Sequence, residues 1–118
     1  MRLVFTDERL HVLCSEPSSA AAFWGSSWGA LKVCFGLLID SLDFGHLRKW
    51  QALDIRVSPG LVHVAHSDAV VSLVPIAADG TAVELLEEEA VRTLDNIQEA
   101  HVIDVVCAHA TAARRRRR

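Results

Sequence analysis

Large apolar residues recur at Trp24, Trp28, Leu31, Phe35, Leu38 and Leu42, at steps of four and three that place them all on one face of a helix. Gly25, Gly29, Lys32, Gly36, Asp40 and Asp43 fall on the opposite face, which is small and polar. A helix with one apolar stripe belongs on a core. The same region, residues 20–39, also has the length of a membrane span, which needs about 20 apolar residues. Lys32 near its middle costs about 2.5–3.5 kcal/mol on the insertion scale, while seven large apolar residues return about 0.3–0.6 kcal/mol each. Those terms nearly cancel. The pattern predicts a soluble amphipathic helix, with a single membrane span as the alternative. Gly25 and Gly29 stand four apart, and with Gly36 they either let another backbone approach that face closely or simply make a poorly optimised helix that frays at its start.

Elsewhere the period falls to two. "RLVF" and "RLHVLC" read as a short hairpin around Thr6-Asp7-Glu8, followed by a break at Glu16-Pro17-Ser18-Ser19. In "ALDIRV", Leu53, Ile55 and Val57 alternate with Asp54 and Arg56, as in a strand with one wet face. Ser58-Pro59-Gly60 is a turn, and "LVHVAH" and "VVSLVPI" follow as strands around Ser67-Asp68. Pro75 cannot donate to a ladder, which predicts an edge strand or a strand end there. Asp79-Gly80 turns the chain into a capping box, Thr81 to Glu84, that opens a second helix. Glu84, Glu87, Glu88 and Glu89 favour its positive end, and Leu86, Ala90, Leu94 and Ile97 form its stripe. "HVIDVVC" is a final strand.

The element order is then β-β-α-β-β-β-α-β. Without one N-terminal and one middle strand it reduces to β-α-β-β-α-β, the split βαβ unit of ferredoxin-like folds, with both helices on one face of the sheet. The expectation is an α+β domain over residues 1–110 with an extra N-terminal hairpin, then a disordered basic tail over 111–118. A longin- or profilin-like order is the alternative, but it leaves "HVIDVVC" without a place.

Within the ferredoxin-like class, "AVVSLVPIAADGTAVELLEEEAVRTLDNIQEAHVIDVV" (residues 69–106) resembles an ACT domain, a small-ligand regulatory module. It has that family's strand, acidic helix and closing strand, and "GALKVCFGLLIDSLDF" is similar to the family's first helix. The resemblance implies a small-molecule ligand such as an amino acid. The acidic-x-Pro-Gly turn that helps form the family's amino-acid site is absent here, and Glu16-Pro17-Ser18 stands in its place.

Charge adds a segregation that the near-neutral mean conceals. Arg114, Arg115, Arg116, Arg117 and Arg118 account for five of the 12 Lys and Arg, which leaves seven against 15 Asp and Glu, a net −8, over residues 1–113. The five arginines are candidate phosphate contacts, to nucleic acid or to an anionic membrane. No aromatic residue is interleaved with them, which disfavours stacking on single strands. Cys14, Cys34 and Cys107 are widely spaced, odd in number and set in apolar runs, as free thiols in a reducing compartment are. Asp7 and Glu8 interrupt the apolar start, so a secretory signal is not expected and the chain reads as cytoplasmic.

Catalytic chemistry finds no motif. His63-x-x-His66 in a strand puts the two rings on opposite faces, unlike the i, i+2 pair that a metal would want, so no metal or cofactor is expected. "GSSWG" lacks the strand–turn–helix setting of a nucleophile elbow. The expected function is a non-enzymatic interaction or regulatory module, a homo-oligomer or partner-binding protein, with Trp24, Trp28, Gly25, Gly29, Lys32 and Gly36 at its interface. The alternatives are an ACT-like ligand-binding domain, a single-span membrane protein, and a nucleic-acid or membrane-surface binder acting through its arginine tail.

Overall fold

A computed structural model of the chain describes residues 1–83 and 94–108. The architecture is α+β: a five-stranded sheet and a set of helices inserted between its first and second strands. Strand β1 (Arg2–Phe5) leads into α1 (Glu8–Ser15), α2 (Pro17–Trp24) and α3 (Trp28–Asp40), the last two joined by a 3₁₀ turn (Gly25–Ser27). A short α4 (Phe44–Leu47) precedes β2 (Asp54–Ser58), β3 (Leu61–His66), β4 (Ala69–Ile76) and β5 (Glu99–Cys107).

The expected N-terminal hairpin is corrected: "RLHVLC" is helical. Asp7 caps α1, its Oδ1 accepting from the Arg9 N–H at 2.8 Å and the Leu10 N–H at 3.3 Å. Leu10, Leu13 and Cys14 then share one face against the core, while Val12 is exposed. Both periods fit so short a run, and the Asp7 cap decides between them.

The long amphipathic helix is also two helices. Gly25 takes φ +61°, a left-handed value that ends α2 with its N–H donating to the Ala21 carbonyl. Helix α3 stops at Asp40, where the Ser41 hydroxyl donates to the Leu37 carbonyl at 2.6 Å and the Trp50 indole donates to that hydroxyl at 2.9 Å. Leu42 therefore leaves the stripe and is 73% exposed. Taken end to end, Pro17–Asp40 is 24 residues with mean hydropathy 1.3, long and apolar enough to cross a membrane, and a third of its most apolar window is buried inside the protein.

The sheet order is β1-β5-β4-β3-β2, with β1 parallel to β5 and the other neighbours antiparallel. A split βαβ unit interleaves its strands, whereas here β2, β3, β4 and β5 follow one another as a meander. The final strand that the longin-like order could not place lies between β4 and β1. Pro75 is not at an edge, but it stands one residue before β4 ends at Ile76, which meets the other expectation, a strand end. It is fully buried in an inner strand opposite Ala100, and it escapes the ladder on its other side because β3 pairs only as far as Leu73.

Strand β5 shows how sequence parity sets local geometry. Ala100 and Val102 are buried at even positions, and Val105 and Cys107 at odd ones. Alternation permits this only with one extra residue. The ladder runs Leu73↔Val102 and then Ser72↔Asp104, so Ile103 is the bulge that keeps all four on the covered face. That face carries Val62, Val64, Val71 and Leu73 as well, and α3 packs Leu31, Cys34, Phe35 and Leu38 against it to form the core. Of the second expected helix, Leu94 is buried and Ile97 half-buried. Glu84, Leu86, Glu87, Glu88, Glu89 and Ala90 lie outside the described residues. Thr81 hydrogen-bonds back to Asp79, whose Oδ1 accepts from its hydroxyl at 2.6 Å and its N–H at 3.0 Å.

Candidate functional site

Because α3 buries Leu31, Cys34, Phe35 and Leu38, its reverse side presents Gly29, Lys32, Val33, Gly36, Ile39 and Asp40. These also recur at steps of three and four, so the helix carries a second stripe that faces outward. Val33 is 39% exposed and Ile39 59% exposed. Among the described residues, a Cβ added to Gly29 or Gly36 meets nothing within 4 Å. The chain's four other glycines have duties inside the fold: Gly25, Gly60 and Gly80 take positive φ, and Gly45 packs its backbone on Asp95. Among the described residues, nothing gives Gly29 or Gly36 such a duty.

The remaining expected interface residues divide. Lys32 holds its ammonium 5.8 Å from the centroid of the half-buried Trp28 ring, a cation–π distance at the rim of the outward stripe. Trp24 is 3% exposed and its indole N–H donates to the Leu13 carbonyl at 2.9 Å, tying α2 to α1. It belongs to the core. Gly25 lies in the link between α2 and α3, off the outward stripe. Arg114, Arg115, Arg116, Arg117 and Arg118 lie outside the described residues.

A polar ladder crosses the sheet on the face away from α3. His63 of β3 has Nε2 at 2.8 Å from the Ser58 hydroxyl of β2 and Nδ1 at 2.9 Å from the Ser72 hydroxyl of β4. Ser72 is 8% exposed, and Asp104 of β5 stands opposite it in register. A serine within reach of an imidazole is the start of a nucleophile–base pair. Here a neutral hydroxyl occupies the place where a carboxylate would stabilise an imidazolium. The ladder's evident work is to satisfy buried polar atoms across three strands. The sequence reading missed it, although Ser58, His63 and Ser72 all fall at positions of β2, β3 and β4 that alternate away from the core. His66 points to the other face, its Nδ1 2.9 Å from the Ala52 carbonyl oxygen. Among the described residues no group of three or more His, Cys, Asp or Glu is placed to hold a metal.

At the end of α3 an open cleft of about 480 Å³ lies between α4 and Asp95. Its cationic wall is partly neutralised, since Arg48 pairs with Asp95. His46 Nδ1 accepts from the Leu42 N–H at 3.1 Å, and its ring stacks on Trp50. The three cysteines converge beneath the helices without becoming reactive. Burial pushes the Cys34 thiol up to about 11, although a hydrogen bond from the His66 backbone pulls the other way. Burial pushes Cys14 and Cys107 up to about 12, and for Cys107 the nearby Asp68, Cys14 and Cys34 add to the effect. No family model, curated protein or solved structure matches this chain.

Proposed function

We propose that this protein is a non-enzymatic interaction module that self-associates, and that its docking surface is the outward stripe of α3. The observation that carries the reading is the pairing of exposed Val33 and Ile39 with two glycines that nothing among the described residues requires. Each glycine weakens the helix by about 1 kcal/mol relative to alanine. Covering the exposed parts of Val33 and Ile39 would return about 1 kcal/mol apiece. A close-packed partner offsets the first cost and supplies the second gain. The Ser58–His63–Ser72 ladder gives less support to an enzymatic role, because it lacks a charged partner for the imidazole.

Sedimentation velocity on the full chain tests the reading, alongside the Ile39→Asp variant. Ile39 is mostly exposed, so the variant keeps its fold, and unchanged far-UV circular dichroism verifies this. The expected result is association that grows with concentration across the micromolar range and is lost in Ile39→Asp. Monomeric behaviour throughout, or association that the variant leaves intact, overturns the reading.

A further inference from the structure

We infer that the occupant of this face is the same face of a second copy, with the two α3 helices antiparallel about a two-fold axis at Gly36. The inference rests on the proposed function above and adds the arrangement. Read outward from Gly36, the exposed residues mirror one another in type: Val33 lies three before it and Ile39 three after, Lys32 four before and Asp40 four after. A two-fold contact requires a self-complementary surface of this kind, because each residue meets its counterpart reversed. Antiparallel pairing brings Lys32 level with the partner's Asp40, and does so twice. Parallel pairing sets lysine beside lysine and aspartate beside aspartate.

The backbone geometry agrees with the charges. Gly29 and Gly36 are seven residues apart, about two turns, and so lie at nearly the same angle around the helix. With open space among the described residues above Gly36, which lies on the axis, the partner's backbone can approach there without meeting a side chain, while Gly29 falls level with position 43, beyond the partner's α3. Antiparallel helices also oppose their dipoles. With the axis at Gly36 the two helices overlap over residues 32–40, about 14 Å, which limits the contact to the small end of specific interfaces. The contact is accordingly of the small, transient kind.

The test uses Lys32→Asp and Asp40→Lys in the full chain, alone and mixed. Each variant by itself sets like charges against each other at both contacts, and self-association is expected to weaken about tenfold or more. Mixed in equal amounts, the two variants restore opposite charges at both contacts and are expected to form a heterodimer close to wild type in affinity, read by native mass spectrometry and sedimentation. Thermal midpoints near wild type establish that each variant is folded. If both variants associate like wild type while Ile39→Asp abolishes the dimer, the face stands and the antiparallel arrangement is overturned. If the variants weaken but do not recover on mixing, the arrangement is likewise overturned. A wild-type chain that stays monomeric removes both this inference and the function on which it rests.

Discussion

Raising the pH from 8 to 10 should destabilise this protein through its buried thiols. Burial lifts Cys34 to about 11 and Cys107 to about 12 from a usual 9.0, and both side chains are inaccessible to solvent. A group whose folded pKa is raised stabilises the fold fully below its unfolded pKa, and that contribution is lost as pH climbs toward the folded value. The loss therefore begins near pH 9 and continues to about 11–12. At pH 10 an unfolded thiol is mostly thiolate and a buried one is not, which costs about 1–2 kcal/mol each and about 3 kcal/mol for the pair. The chain has no tyrosine and only two lysines, Lys32 and Lys49, so few other groups titrate in this window. Urea unfolding followed by circular dichroism at pH 8, 9 and 10 reads the effect. With a slope of about 1.5 kcal/mol per molar, the midpoint should fall by about 2 M. A midpoint that moves by less than about 0.5 M would refute the argument, and so would an equal fall in the Cys34→Ala/Cys107→Ala protein.

Three further outcomes follow from the packing. Gly45→Ala places a Cβ 3.0 Å from the Asp95 carbonyl oxygen and 3.2 Å from its Cβ, and should cost about 1–3 kcal/mol in urea, whereas Gly29→Ala, at low protein concentration, should gain about 1. His63→Ala removes the partner of the buried Ser72 hydroxyl and should cost about 1–2 kcal/mol, more than Ser58→Ala at the sheet edge; equal costs would mean that the ladder is not a unit. Deleting Ile103 should be tolerated within about 1 kcal/mol, because the ladder already skips it, while deleting Val106 should unfold or severely weaken the chain by moving Cys107 off the core face.

The strands were legible where alternation and turn chemistry agreed. "LVHVAH" is β3 as read, and β2 and β4 fall within a residue or two of expectation, because Gly60 at φ +77° and Ser67 at φ +55° take the turns. The break at Gly25, the helical α1 and the short α4 were not legible. Each turns on whether one cap or glycine outweighs a pattern that fits two periods. Strand order was the larger miss, and part of its signal was present. "AVVSLVPI" is apolar at both parities, as a strand buried on both faces must be. That outweighs Pro75, whose missing N–H matters only where a neighbour needs it. The shift of parity in "AHVIDVVC" likewise announces a bulge, and hence a strand whose register is pinned on a covered face.

The glycines of α3 show why residue type and position must be read together. In the sequence, Gly25, Gly29 and Gly36 look alike: three helix-weakening residues on one face. The fold separates them. Gly25 is needed for a left-handed link that no β-branched residue adopts at comparable cost, so its presence is explained by the chain's own path. Gly29 and Gly36 have ordinary helical backbone and free space above them, so the monomer would be more stable with alanine at either position. Two such costs amount to about 2 kcal/mol, a sizeable share of the 5–15 kcal/mol that holds a typical domain folded. They fall on the one face of α3 that the sheet does not cover, between Lys32 and Asp40 and beside Val33 and Ile39. In the proposed arrangement, a partner backbone seated on the axis gives Gly36 the purpose that the monomer does not.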